Sequence, residues 1–470
     1  LAINFRFLFG SFLLLWLVLQ PMRAPALNGH TVKVATGPVV NAVAFRDSIG
    51  VSVHWEYKDT VYGRDTLAVT DAVKALGIRH LRGYDPKTSA SLARFGVTAM
   101  LVAGPEVGTP EQIAHTVTAA NAKSFVIDAV EGPNEADLFW PMHKYKYHGE
   151  SFPAGTLAYQ RDLYAAIRSR PELRAVHVIG PSLGRTYPPA PLNSNPYFGG
   201  GLADAVDFGN FHPYPFGGNS FSLPFSYDSV ARYYWTGNPP SGNLDEYPYA
   251  FEAYSPPFQP RPMDATETGY PTWRNGVTEE VQAKYIPRLV AEYCRLGIRR
   301  TYLYELVDVR PDTKGGDMEA HFGLMRNDLT RKPAFIALQG LLALVKPIKD
   351  AGHDNEVAVK PKVTLLAHMP AGLDRPRYVH SLIVQRSMNE SILLIWHEVA
   401  SADTVVSPPR SIAVPPGQID VTPQEAWRPV AWFDYDLAWH LDRHEVAPNT
   451  ASVSVPLRDQ VVAVLMHRAS

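Results

Sequence analysis

Cysteine is almost missing from this chain: one residue in 470, Cys294, sits in the apolar stretch AEYCRLGI. A single thiol excludes an intramolecular disulfide and any Cys-x-x-Cys metal or redox motif, so the fold must rest on its own core. Its apolar surroundings give Cys294 a buried, structural role. Basic charge is also short: the formal net charge is −2 and no Lys/Arg run occurs. That removes the electrostatic means of holding nucleic acid, which is therefore not an expected partner. There is no Gly-x-Ser-x-Gly turn of the esterase kind. Gly199-Gly200-Gly201 and Gly217-Gly218 do not follow the strand-to-helix pattern of a phosphate cradle. The one His-x-x-x-His spacing, His440 and His444, lacks the glutamate and the helix of a zinc-protease motif. Neither a metal nor an organic cofactor is expected.

What is present describes a globular protein, with 46% hydrophobic, 19% charged and 11% aromatic residues. The length predicts two or three domains, one of them large. The 41 prolines and 33 glycines indicate long ordered loops carrying Tyr and Trp, suited to stacking on sugar faces, although most aromatics must serve the core. One almost unbroken apolar run, Phe7 to Leu19, follows Arg6 and precedes Ala24-Pro25-Ala26. This is the layout of a cleaved signal peptide over residues 1–26, and the run is short for a membrane span. A secreted or periplasmic protein with no stable membrane association after cleavage is expected, an uncleaved anchor being the alternative.

From residue 48 to 345, short apolar strands alternate with longer helical patterns. Strands are read at Gly50 to Trp55, Ile78 to Arg82, Val97 to Ala103, Phe125 to Val130, Val176 to Gly180, Ala205 to Phe211, Pro262 to Thr266 and Thr301 to Leu306. Eight βα units over about 300 residues predict an α/β fold of the (β/α)8 TIM-barrel kind, with chemistry on the loops after the strands. Three of those loops are long: Ala136 to Ala154, Pro181 to Gly200 and Pro213 to Arg261. After Val345 a linker leads into segments of period two, such as VTLLAHM, HSLIVQRS and SVSVPLRDQVVAVLMH, which predict a β-sandwich over residues 355–470. Part of Thr31 to Phe45 adds strands to one domain or the other.

Two motifs carry chemistry. In VEGPNEADLFW an apolar strand ends and Asn134-Glu135 follows, placing a carboxylic acid at the barrel mouth where it can protonate a leaving oxygen. An exposed loop glutamate is the bland alternative. In RPMDATETGYPTW, Glu267 closes strand seven, where a buried carboxylate costs desolvation unless it has a partner or a task. Structural ion pairing is the rival there. Together they suggest two carboxylates facing across the mouth, as retaining glycosidases require. Glu131 and Glu305, also at strand ends, are reserve candidates.

Asn134-Glu135 after strand four and Glu267 after strand seven resemble the signature of clan A glycoside hydrolases, over residues 48 to 345. The barrel with a β-sandwich is similar to families 39, 5, 30 and 79 of these enzymes. The resemblance implies Glu135 as general acid/base and Glu267 as nucleophile, acting on a carbohydrate without cofactor. It also implies that Arg82, ending strand two, contacts the nucleophile, and that Asn134 binds the sugar 2-hydroxyl. His212 and Tyr214 in FHPYP match the clan's histidine-x-tyrosine, with Tyr214 bonding the nucleophile, and His54 lines the innermost sugar pocket. Strand eight departs from the pattern, with Tyr304 and Glu305 in TYLYELVDV where the clan often has Trp. Trp55, Trp140, Trp235 and Trp273 are alternative stacking surfaces. An acidic wall from Glu305 and Asp308 would favour neutral or amino sugars over uronic acids. A non-catalytic carbohydrate-binding protein and a transglycosylase using the same residues are the competing functions.

Overall fold

The computed structural model describes residues 30–185, 194–214, 254–348, 360–370, 378–403 and 409–468. The expected leader, most of the connection after strand six, and Trp235 with it, lie outside these residues.

Eight parallel strands form one sheet: Ile49–Ser52, His80–Arg82, Thr98–Val102, Ile127–Glu131, His177–Ile179, Gly209–Phe211, Met263–Thr268 and Thr301–Leu303. Numbered along the chain, their order in the sheet is five-four-three-two-one-eight-seven-six. A parallel bridge between Ile179 and Phe208 joins strands five and six and closes the barrel. Both faces of the strands are covered, as a parallel sheet wrapped by helices requires. Inside, Met100, Ala129, Ile179 and Tyr302 pack together as one buried cluster. Gly50 makes room for Tyr302, because a Cβ there would lie 2.4 Å from its ring.

The helices start and stop where their ends are chemically satisfied. Pro110–Asn121 opens on a capping box between Thr109 and Gln112, Glu279–Arg295 on the Thr278 hydroxyl, and Thr66–Leu76 ends at left-handed Gly77. The segment after Glu135, expected as loop, folds into the helix Ala136–His143, burying Ala136 and Trp140 one turn apart. Strand six is shorter than expected. Leu202–Asp204 is a 3-10 turn, and the Asp207 carboxylate accepts from the Val178 backbone N–H at 2.7 Å before the strand begins.

The sandwich has a four-stranded outer sheet (His30–Val34, Val363–Met369, Gly417–Pro423, Val453–Leu457) and a six-stranded inner one. The inner order is Leu441–Glu445, Trp427–Tyr435, Val462–Arg468, Glu390–His397, Val379–Gln385 and Val39–Asn41. Both strands that precede the barrel therefore belong to the sandwich. Val363–Met369 alternates buried and half-buried residues, as a strand with one covered face must. Glu390–His397 is buried almost throughout. Its Leu393 and Ile395 face the sandwich core, while Ile392, Leu394 and Trp396 pack with barrel helices Glu279–Arg295 and Pro333–Leu344.

Arg288 pins that junction. Wholly buried on its helix, it donates from Nη1 to the Asp459 carbonyl at 2.8 Å and the Val399 carbonyl at 3.2 Å, and its Nη2 lies 3.2 Å from Glu398 Oε1. Removing the cation alone leaves Glu398 buried without its charge partner. Arg288→Ala should therefore destabilise the protein by about 3–5 kcal/mol, and Arg288→Met combined with Glu398→Gln by clearly less. Urea denaturation followed by tryptophan fluorescence checks this; an equal loss in both variants would show that packing, not charge, holds the junction.

Candidate active site

The carboxyl ends of strands two, four, six and seven bring together most of the residues expected from the sequence. Strand two ends in Arg82, whose guanidinium is buried and forks in three directions. Its Nε and Nη2 donate to Glu131 at 2.6 and 3.1 Å, Nη1 to Glu267 Oε1 at 2.6 Å, and Nη2 also to Asn134 Oδ1 at 2.7 Å. A planar five-donor group suits this task, which a lysine could not perform. Tyr214 donates its hydroxyl to the other Glu267 oxygen at 2.8 Å. The hydrogen bonds expected of Arg82 and Tyr214 to Glu267 are thus both present.

These partners fix the charges. Burial opposes ionisation of Glu131, but the Arg82 charge and its hydrogen bonds outweigh it and bring the carboxyl down to about 2. Glu267 is buried too, and the charges of His212 and Arg82 with the Tyr214 hydroxyl hold it below the usual carboxylate range. Burial would lower His212, but the carboxylates of Glu267, Glu131 and Glu135 push it up to about 10.

Glu135 sits at the N-terminus of Ala136–His143 with φ 39° and ψ 50°. This left-handed conformation is costly for a side chain with a Cβ, and the surroundings hold it. Its backbone N–H donates to Ser182 Oγ at 2.8 Å, and its Oε1 lies 3.0 Å from His212 Nδ1. Asn134 accepts on Oδ1 from both Arg82 and Ser182, the latter at 3.3 Å, leaving its NH2 to offer a ligand. One oxygen each of Glu135 and Glu267 and a nitrogen of His212 lie within 4.8 Å of one another. This donor set could receive a cation by composition, but the Arg82 guanidinium already occupies Glu267. Glu292, His380 and Glu398 form a second such group at the junction of barrel and sandwich, where Arg295 and Arg288 already pair the two glutamates.

His54 stands beside this centre with both ring nitrogens engaged, Nδ1 at 3.1 Å from Glu56 and Nε2 at 3.1 Å from Glu305. Its ring stacks on Tyr57, with centroids 4.7 Å apart, and meets Tyr304 edge-on. Burial drives Glu305 up to about 7, whereas Glu305 and Glu56 carry His54 up to about 9 against its own burial. Glu305 is wholly buried behind His54, and Asp308 is bonded to Lys332 Nζ at 2.9 Å. The acidic wall expected of these two residues is therefore not exposed to a ligand, because a strand-end carboxylate turned inward needs an internal cation. Trp55 and Trp140 are buried packing residues, and Trp273 is half-buried against the core. His444 bonds Asp434 at 2.8 Å and stacks on Trp432, away from His440.

Sequence reasoning missed Asn210, Thr266 and Ser182. Asn210 donates to Glu131 at 3.0 Å, and Thr266 lies between Asn210 and His212. Polar residues in the short buried strands GNF and MDATET were the signal available for Asn210 and Thr266.

The Glu131 shift has a pH consequence. A carboxyl lowered from 4.5 to about 2 adds stability that is complete above pH 4.5 and lost as pH falls through about 2. Glu131→Gln has no such titration, so its stability deficit against the parent should be constant above that range and shrink as pH falls within it. Urea midpoints at stepped pH measure this; a deficit that grows on acidification would contradict the assigned charge.

No protein-family profile and no curated protein matches the chain. Solved structures do match in fold. The GH39 enzyme from Xanthomonas axonopodis pv. citri superposes with a TM-score of 0.52 at 15% identity, over 93% of this chain and 98% of that one. A glucosidase from Croceicoccus marinus gives 0.52 at 13% identity, over 85% and 92% of the two chains. CelM2, a bifunctional glucanase-xylanase from a metagenome library, gives 0.50 at 12%, over 92% and 99%. In fold, a TIM barrel carrying a β-sandwich, the chain is similar to these glycoside hydrolases of clan A.

Proposed function

We propose that this protein is a retaining glycoside hydrolase acting on a polysaccharide or glycoconjugate, with Glu267 as nucleophile and Glu135 as general acid/base. The observation that carries the reading is the approach of the two carboxylates, with oxygens within 4.8 Å across the mouth of the barrel. Retaining enzymes place their carboxyl groups about 5–5.5 Å apart, whereas inverting ones leave about 6.5–9.5 Å for a water. The different settings of the two groups support the division of roles. Glu267 has Arg82 and Tyr214 on its two oxygens, which favours a standing anion able to attack an anomeric carbon. Among the described residues no guanidinium bonds the Glu135 carboxyl, and Glu135 is more open, with its side chain 18% exposed against 10% for Glu267.

In the first step a Glu267 oxygen bonds the anomeric carbon while Glu135 gives its proton to the departing oxygen. In the second, Glu135 takes a proton from water as that water attacks and the ester bond returns its electrons to Glu267. The Asn134 NH2, whose Oδ1 is held by Arg82 and Ser182, would donate to the sugar 2-hydroxyl. His54 would line the same sugar, its ring held by Glu56 and Glu305. No cofactor takes part. A non-catalytic binder of the same carbohydrate would have no need of a buried anion held by Arg82 and Tyr214 opposite a second carboxylate. Transglycosylation would replace water by a second sugar on the same residues. Export through the leader at 1–26 belongs to this proposal, and N-terminal sequencing of secreted protein tests it.

Dinitrophenyl glycosides of both anomeric configurations give the decisive test. Glu267→Ala should lose at least about 10⁴-fold in kcat/KM on every substrate, because no glycosyl-enzyme forms. Glu135→Ala should still form that ester from a leaving group that needs no proton, then stall at its breakdown. Azide should release a glycosyl azide of retained configuration from Glu135→Ala and of inverted configuration from Glu267→Ala. The opposite stereochemistry in the two variants would reverse the assignment, and turnover unchanged in both would remove it.

A further inference from the structure

His212 has a proton position that the surrounding hydrogen bonds determine. Its Nε2 lies 2.9 Å from Thr266 Oγ1, and its Nδ1 lies 3.0 Å from Glu135 Oε1 and 3.6 Å from Glu267 Oε2. Thr266 Oγ1 has two further oxygen neighbours, Asn210 Oδ1 at 2.7 Å and Glu131 Oε1 at 3.0 Å. A hydroxyl has one proton to give.

The orientation of Asn210 decides where it goes. The Asn210 Nδ2 faces Glu131 Oε1 and the Gly180 carbonyl, each at 3.0 Å and each an acceptor. Turning the amide over would set its oxygen against both, so Oδ1 must face Thr266 and accept from it. With its proton spent on an oxygen, Thr266 can only accept from His212, and Nε2 must carry a hydrogen. The alternative, a hydroxyl proton on Nε2, would leave two oxygens at 2.7 and 3.0 Å from Oγ1 with no proton between them.

We propose that Asn210 and Thr266 are positioning residues that keep a proton on His212 Nε2, so that His212 Nδ1 and Glu135 share the one proton used in catalysis. The proton lies either on Glu135, with a neutral ring accepting it, or on Nδ1, with a Glu135 carboxylate accepting. The proposal rests on Glu135 being the acid/base. The groups around the ring are Glu131 from strand four, Glu135 from the loop that follows, and Thr266 with Glu267 from strand seven. Asn210 comes from strand six. Arg82 stands beyond, bonded to Glu131 and Glu267, and Tyr214 is bonded to Glu267. Two standing anions, Glu131 and Glu267, lie 3.9 and 3.6 Å from the ring nitrogens and favour keeping the shared proton. In the first step that proton leaves Glu135 for the departing oxygen as the glycosidic bond gives its electrons to the same atom. In the second, the proton from attacking water restores the pair.

Two measurements test this. In protein labelled with ¹⁵N-histidine, with the His212 signals identified by their loss in His212→Gln, Nε2 should show a directly bonded hydrogen at every pH measured. An unprotonated Nε2 at any pH overturns the network whether or not the protein hydrolyses glycosides. In Thr266→Val the ring is free to hold its last proton on Nδ1, bonded to the Glu135 carboxylate, which favours the deprotonated pair. The alkaline limb of kcat/KM for an alkyl glycoside should then move down by roughly one pH unit, the scale of one charge-assisted hydrogen bond. The limb should stay in place for a dinitrophenyl glycoside, and Thr266→Ser should restore the parent profile. Activity lowered equally at all pH values would assign Thr266 a structural role and overturn its catalytic one. If Nε2 is protonated as expected but no glycoside is cleaved, the network stands and the glycosidase reading fails.

Discussion

The centre of this molecule depends on one buried guanidinium. Arg82 lies where three strands of the barrel end, and it is the cation that lets Glu131 and Glu267 stay ionised out of water. Neither carboxylate would tolerate that burial alone, since an unpaired buried charge neutralises itself by shifting its pKa. The same fork reaches the Asn134 amide, so one planar group sets the charge of the centre and the orientation of its hydrogen-bonding rim.

Beneath it, a second tier passes the constraint to His212. Glu131, held by Arg82, accepts from Asn210, and Asn210 accepts from Thr266, which receives His212. Every link is buried, and each leaves its neighbour one chemically sensible choice. A low-dielectric interior penalises a mismatched polar group severely, so such a chain has one arrangement rather than several. The loop bearing Glu135 is held from the other side by Ser182, at a backbone conformation that a free loop would abandon.

Much of this was legible in the sequence, for a physical reason. Strands that alternate with helices locate the rim of a barrel, and Arg82, Asn134, Glu135, His212, Tyr214 and Glu267 each follow or end a strand. What sequence spacing leaves open is depth. Glu305 also ends a strand, yet it turns inward to His54, because a position along the chain does not say which way a carboxylate finds its cation. Asn210 and Thr266 stood out only as polar residues within strands, because their meaning lies in partners across the barrel, separated from them by more than fifty residues. One strand of the inner sandwich sheet, Glu390–His397, is buried on both faces. With barrel helices on one face and its own core on the other, SILLIW has no wet side to mark the period of two.

The strand His30–Val34 lies ahead of the barrel and pairs with Val363–Met369 behind it, joining residues 337 positions apart. During synthesis the first of these strands emerges from the ribosome long before its neighbour exists. All eight barrel strands are synthesised before that strand can find its partner, and the outer sheet can be completed only after Val453–Leu457 arrives. The accessory layer is thus begun before the barrel and finished after it, so its outer sheet closes the barrel's sequence into one long loop between paired strands.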